Sequence, residues 1–396
     1  MKMKHVILRS MDLQRRKNKP LGFGGVSAKP ASLYGKMNFE FEDLSVQNVT
    51  KVASKKGIEA IAPIIPMKLI SPVQNKSGMG IVGTDDAWGI KTVGADTSAF
   101  SGDGVVVAVL DTGIDSTHPA FSGIKLIHKN FTSESKEDVH GHGTHCAGTI
   151  FGRQVEGKRI GIAPGIKTAV ICKILGEGGG ASDVVLEAIE WSLQNGANII
   201  SMSLGIDFPG YVAELIEQGI PPELATSMAL QGYRANVRLF ERLASMIEAR
   251  SMFMQPCLLI GAAGNESRRD ENPEFEIAVS PPSAADGIVS VAAVSLDQQE
   301  LTVAPFSNIG ARVCAPGVNV LSAKLGGGLV TMSGTSMATP HVAGVAALWA
   351  EKLKSSDQLT GQMFIDRLIG SATMTGLKTG FHPADVGAGI VRAPQS

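Results

Sequence analysis

The chain has 396 residues, 44% of them hydrophobic and 18% charged, which is enough to bury one large core or two smaller ones. Its 36 Lys and Arg nearly balance 37 Asp and Glu, for a formal net charge of −1, so electrostatics make no case for nucleic acid or a membrane surface as partner. The abundance of glycine (46) beside 5% aromatics suits an α/β protein with tight turns and close helix-on-sheet packing, and no apolar run approaches the roughly 20 residues of a membrane span.

The chain starts basic, but its apolar run at 6–8 is too short for a signal-peptide core. That favours a cytoplasmic location, with secretion expected only if a leader was removed. The basic run at 15–19 reads as a solvated loop. Residues 1–75 form a small α+β unit on this reading, with strands expected at 38–42 and 60–65 and a helix over 45–56. The polar, Gly-rich stretch that follows marks a linker at 76–84. From residue 104 the pattern changes. The run 105–110 is apolar on both faces and ends in an acid, as a central strand of a parallel sheet does. Similar runs recur at 168–174, 197–202, 257–262 and 288–294. Helices are predicted over 143–151, 182–195, 222–251 and 336–354. Alternating buried strands and helices predict a doubly wound α/β domain over 85–396. Cys172, Cys257 and Cys314 fall in or beside the apolar runs and read as buried free thiols, not a disulfide framework.

In such a sheet, chemistry sits where loops leave the carboxyl ends of the strands. Asp111 closes the run 105–110; alone, it reads equally well as a turn or cap residue. The segment His140-Gly-His-Gly-Thr-His-Cys-Ala-Gly-Thr149 suggests metal first. However, H-x-H-x-x-H puts no two ligands at i and i+4, and it lacks the Glu of HExxH. Its small residues Gly143, Ala147 and Gly148 suit a closely packed helix with a histidine fixed at its start, as a general base requires. In Gly334-Thr-Ser-Met-Ala-Thr-Pro-His-Val-Ala-Gly344, a Ser opens a helix apolar nearly all round, beside unpaired N–H groups and the positive end of the dipole. A lone Ser there is an ordinary cap. Asn265, after the apolar run 259–263 and Gly264, is either a turn residue or a neutral oxyanion donor. Together the four segments supply an acid, a base, a nucleophile and an oxyanion donor, a complete acyl-transfer set.

VAVLDTGID, HGHGTHCAGT, SMSLG, GAAGNE and GTSMATPHVAG resemble, in order, the signature segments of the subtilase family, over about residues 84–395. The resemblance implies a mostly parallel sheet flanked by helices and a serine endopeptidase working through an acyl-enzyme. It implies Ser336 as nucleophile, His142 as general base, Asp111 as orienting acid and Asn265 as oxyanion donor, with His145 a structural neighbour and Cys146 a free thiol beneath His142. Extended peptide would lie between Ser203, Leu204 and Gly205 on one side and Gly178, Gly179 and Gly180 on the other. Glu266 would rim the P1 pocket, where it would mildly favour a basic residue. No cofactor is needed for chemistry. The N-terminal unit resembles the family's propeptides, which inhibit the protease, template its folding and leave by self-cleavage, here within 67–84. Polypeptide substrates and this unit are the expected partners.

Two departures stand out. The Asp through which many relatives bind structural calcium is replaced by Ala120, and the companion loop at 151–162 carries Arg153, Lys158 and Arg159, a poor setting for a hard cation. The usual tight site is therefore expected to be absent, with calcium elsewhere still open. The segment 206–256 is also long. Its helix is expected to bury Leu224, Met228, Val237, Phe240, Leu243 and Ile247 and to show solvent a stripe of Arg234, Arg238 and Arg242. Residues 206–221 are expected to narrow access to the P1 pocket. The rival readings are a transpeptidase or cyclase using the same triad, and a silent subtilase-like binding protein.

Overall fold

A computed structural model describes residues 2–10, 37–73, 88–252 and 254–396. The expected linker at 76–84 and the basic run at 15–19 lie outside them.

The N-terminal unit is a three-stranded antiparallel sheet in the order β2-β1-β3, with β1 at Lys2–Arg9, β2 at Asn38–Ser45 and β3 at Ile58–Pro63. The helix α1 (Val46–Ala53) lies between β2 and β3 in sequence. Alternation along β1 divides its apolar residues. Ile7 packs with Leu44 and Val52, whereas Val6 and Leu8 point the other way, into the large core. A separate strand, β4 (Pro66–Leu69), leaves this unit.

Next come α2 (Trp88–Thr92), β5 (Val106–Asp111), β6 (Lys125–Asn130), α3 (His142–Phe151), β7 (Thr168–Lys173), β8 (Gly180–Ala181), α4 (Ser182–Gln194), β9 (Ile199–Met202) and β10 (Leu204–Ile206). Two helices follow, α5 (Phe208–Glu217) and α6 (Pro222–Arg250), then β11 (Leu258–Ala262), β12 (Ile288–Asp297), β13 (Glu300–Val303) and β14 (Val313–Pro316). The chain ends with the hairpin of β15 (Val320–Ala323) and β16 (Leu329–Met332), then α7 (Thr335–Ser355), α8 (Gly361–Gly370) and α9 (Pro383–Val386). The main sheet runs β13-β12-β11-β9-β5-β7-β6, with β14 also paired to β12, and every pairing except β12 with β13 is parallel. Its strands are buried on both faces because helices cover both: α3 and α7 on one side, α4 and α6 on the other. This is the expected doubly wound α/β architecture.

The N-terminal unit shares the second of these cores. Val6, Leu8, Ala62 and Ile65 pack in one cluster with Leu239, Phe240 and Leu243 of α6. Polar bonds mark the seam: Asn236 Nδ2 donates to Pro63 O at 2.9 Å, and Ser182 N to Ile65 O at 3.1 Å. On α6, Leu239, Phe240, Leu243 and Ile247 are buried, and Arg234, Arg238 and Arg242 face solvent. Leu224 departs from the expected apolar face. It is 53% exposed because it lies in the first turn of α6, next to the Pro221 cap and ahead of the stretch that reaches the sheet.

Candidate active site

The carboxyl ends of β5, β9 and β11 converge on one groove. Asp111 is the last residue of β5, Ser203 follows β9, and Asn265 lies three residues past β11. Helix α3 begins at His142 after Gly141, which takes the left-handed φ of 90° that favours glycine at so abrupt a start. The helix lies so close to the loop after β5 that a Cβ on Gly143 would sit 2.1 Å from Gly113 O. That contact sets the imidazole against the acid: His142 Nδ1 donates to Asp111 Oδ1 at 2.7 Å. The same oxygen accepts Thr112 N–H at 2.7 Å. Burial pushes the imidazole down, but the Asp111 charge and hydrogen bond outweigh it and hold His142 well above the usual histidine range.

A buried acid unmarked by the sequence reading organises this corner. Asp138 Oδ1 accepts from His140 N, Gly141 N and Thr112 Oγ1, and its Oδ2 from Thr144 N and Thr144 Oγ1. It satisfies the N–H groups at the start of α3 and ties them to the β5 loop. The available signal was an acid just ahead of a Gly-rich helix start. His145 plays a different part. Its Nε2 donates to Val320 O at 2.9 Å, and burial lowers its pKa to about 3, so it is neutral and structural.

Ser336 lies in the first turn of α7. Pro340, four residues on, has no N–H to give Ser336 O. That carbonyl is met instead by Cys146 Sγ and Ser203 Oγ, each at 3.4 Å. Cys146 thus lies beneath both His142 and Ser336, and burial pushes its thiol up, leaving it protonated. All four cysteines are buried free thiols. Asn265 is held by Thr335, whose N–H and Oγ1 both donate to Asn265 Oδ1 at 2.9 Å. Its Nδ2 is thereby turned into the groove.

The groove is filled by the chain's own β4. This strand pairs antiparallel with β10 (Leu204 with Leu69, Gly205 with Lys68, Ile206 with Met67) and on its other edge with β8 (Met67 with Gly180). Ile70 N donates to Ser203 O at 3.2 Å. Ser203, Leu204 and Gly205 therefore line one side of the strand and Gly179 and Gly180 the other. A Cβ on Gly179, where φ is +79°, would meet Met67 O at 2.7 Å. Gly178 sits at the tip of the turn, away from the strand; an added Cβ there meets nothing within 4 Å. Met67 and Ile70 are 2% and 3% exposed. Beneath the strand, Asp111, His142 and Ser336 are buried.

The two residues that follow the strand meet Ser336 and Asn265. Ser336 Oγ donates to Ile70 O at 2.8 Å, whereas Asn265 Nδ2 donates to Ser71 O at 3.0 Å. In acyl transfer, the carbonyl attacked by the nucleophile is the one held by the oxyanion donor. Here the two contacts fall on consecutive residues, and His142 Nε2 has no hydrogen-bond partner among the described residues.

At Ala120, which stands where many relatives have a calcium-binding Asp, the carbonyl oxygen accepts from Arg153 N at 2.7 Å. The Arg159 guanidinium donates to Gly161 O, Ala95 O and Ile162 O at 3.0–3.1 Å. Three carbonyls thus converge on an organic cation. Among the described residues, no helix is long and apolar enough to cross a membrane.

Known proteins resemble this chain over most of its length. A model of the subtilase family matches residues 102–389. An intracellular serine protease of Paenibacillus polymyxa is 35% identical over 255 residues, covering 62% of this chain and 67% of that protein. A thermostable alkaline protease of Halalkalibacterium halodurans is 34% identical over 314 residues, covering 77% and 72%. A subtilisin-like protease 6 of Trichophyton verrucosum is 29% identical over 323 residues, covering 78% and 67%.

Proposed function

The chain belongs to the subtilase family and is a serine endopeptidase, and from that premise we propose that it is made as a self-inhibited precursor whose nucleophile is Ser336. In this reading Ser336 Oγ attacks the carbonyl carbon of an extended peptide as His142 Nε2 takes its proton. Asn265 Nδ2 holds the oxygen as it becomes an oxyanion. The C–N bond then breaks, the proton passes from His142 to the leaving amine, and water releases the acyl group by the same steps in reverse. Asp111 keeps His142 in the right tautomer and stabilises its charged form. The observation that carries the proposal is the convergence of Ser336 Oγ and Asn265 Nδ2 on the carbonyls of the two residues that follow β4, with Cys146 Sγ linking Ser336 to the buried His142–Asp111 pair.

The same observation supports the N-terminal unit as inhibitor. With Ile70 O on the nucleophile and Ser71 O on the oxyanion donor, neither carbonyl has the full set of contacts for attack. The strand fills the cleft without being poised for cleavage. Self-processing within 67–84 then requires the strand to shift or to be presented by another molecule. Met67 is the anchor to test. Met67→Asp would bury an unpaired carboxylate in the β8–β10 groove, a cost of several kcal/mol. The full-length variant is expected to react with a fluorophosphonate at least about tenfold faster than the wild type, since each factor of ten needs only about 1.4 kcal/mol of lost docking. Equal labelling rates would count against the inhibitor role. A wild type that never labels, beside a variant that never labels, would count against the nucleophile.

Calcium is proposed to be dispensable at the Arg159 site, because the guanidinium already satisfies the carbonyls that a cation would bind. A chelator should therefore shift the melting temperature of the wild type and of Arg159→Ala by the same amount. Arg159→Ala should lower stability by about 2 kcal/mol, the scale of a charged hydrogen-bond group lost from partly buried acceptors; a differential scanning measurement with and without calcium checks both.

A further inference from the structure

The residue of β4 that carries a charge into the cleft is Lys68. Alternation along the strand puts it on the same face as Ile70 and opposite Met67 and Leu69. Its Nζ lies 3.3 Å from Asp207 Oδ1 and 3.6 Å from Glu266 Oε1. The two acids come from separate segments, and each is fixed by a second bond. Asp207 caps α5, accepting Gly210 N at 3.3 Å. The other oxygen of Glu266 accepts Asn308 Nδ2 at 2.8 Å, and Asn308 also binds the backbone of the Asn265 loop. Two carboxylates held this way around one point repel each other unless a cation lies between them. Here one does, with its backbone paired to Gly205.

We propose that Asp207 and Glu266 are specificity-determining residues that select substrates with Lys or Arg two positions before the residue whose carbonyl meets Ser336. A peptide that keeps the backbone pairing of this segment, Ile70 N with Ser203 O and Lys68 opposite Gly205, and turns only the carbonyl beside Ser336 toward Asn265, puts its P1 residue at Ile70 and its P3 residue at Lys68. The acid expected to act on a P1 side chain is thereby assigned to P3. The residues 206–221, expected to narrow the P1 pocket, act here through Asp207 at the P3 position. The P1 position itself stays apolar, as the burial of Ile70 indicates. The inference rests on reading the groove as the substrate cleft.

The test is hydrolysis of three peptides of the form Met-X-Leu-Ile-Ser, with X as Lys, Gln or Glu, by the full chain, its active fraction counted by fluorophosphonate labelling. Two half-exposed ion pairs predict a kcat/KM about fivefold higher for Lys than for Gln, and Glu lower still. The gap should narrow in 1 M salt, where charges are screened within about 3 Å. The isosteric double variant D207N/E266Q should cleave all three peptides at similar rates, and Glu266→Lys should turn the order toward Glu. The same ranking in wild type and double variant, or no ranking in wild type, overturns the inference while Ser336-dependent cleavage leaves the cleft assignment standing. If a preparation whose Ser336 labels with the fluorophosphonate cleaves no peptide of the series, the cleft assignment falls and the inference with it; a preparation that does not label is first opened by Met67→Asp.

Discussion

Ser336→Ala is expected to abolish peptide cleavage, by about a million-fold in kcat, the scale on which removing the nucleophile acts in this family. A residual rate some three orders above water should persist, because the Asn265 amide and the groove still bind and polarise a carbonyl. The substitution removes one hydroxyl from a buried site and with it the bond to Ile70 O. That bond contributes about 1 kcal/mol, a shift of a few degrees in melting for a chain of this size. The variant should therefore fold and keep β4 in its groove. Two readouts separate chemistry from folding. The variant should not label with a fluorophosphonate, and its mass should stay that of the full chain in a preparation where the wild type shortens. A Ser336→Ala protein that cleaved peptides at the wild-type rate would move the nucleophile elsewhere. One that shortened as the wild type does would assign processing to another protease.

Much of this geometry was legible in the sequence, for a physical reason. A central parallel strand must be apolar on both faces, so the runs ending at Asp111, Met202 and Ala262 announced β5, β9 and β11 within a residue or two. A polar residue at the end of one such run reads alone as a turn or a cap, but several of them closing strands of one parallel sheet point together to its carboxyl edge. What could not be read was anything set by distant partners. In the sequence the run from Met67 to Ile70 reads only as part of the stretch where self-cleavage would fall. That it leaves the N-terminal unit and pairs with β10 depends on its register against residues far along the chain. Asp138 was missed because its role is to satisfy backbone N–H groups, and a sequence shows none of these. Cys146 was placed beneath His142 by resemblance; the reason for a donor there, a carbonyl left free by Pro340, appears only when α3 and α7 are packed together. Gly178 was grouped with its neighbours because the run Gly178–Gly180 looks uniform, yet the turn carries the first of the three away from the strand.

Replacing Asp111 with Asn should cost about 10⁴ in kcat, the scale known for loss of the orienting acid in serine proteases. The cause lies in the 2.7 Å bond between His142 Nδ1 and Asp111 Oδ1. A carboxylate accepts only, so it fixes the proton on Nδ1 and leaves Nε2 free as a base. An amide can present its N–H instead and favour the opposite tautomer. The pH profile adds a second signature. Asp111 outweighs burial and raises the His142 pKa well above its ordinary value, which is about 6.5. General-base catalysis needs the neutral form, so wild-type kcat/KM should climb with a midpoint above that value and plateau on the alkaline side. In Asp111→Asn the charge is gone while the burial stays, so the midpoint should fall together with the plateau. Linkage fixes the sign for stability. A raised folded-state pKa means that protonated His142 stabilises the native wild type below about pH 6.5, and this contribution fades as pH rises through the raised value. Asp111→Asn should therefore be destabilised most on the acid side and least at alkaline pH. Denaturant midpoints across that range, set beside the pH–rate curve, test one electrostatic cause in two independent ways. A variant with reduced rate but an unmoved midpoint in both would leave Asp111 orienting the imidazole without setting its charge.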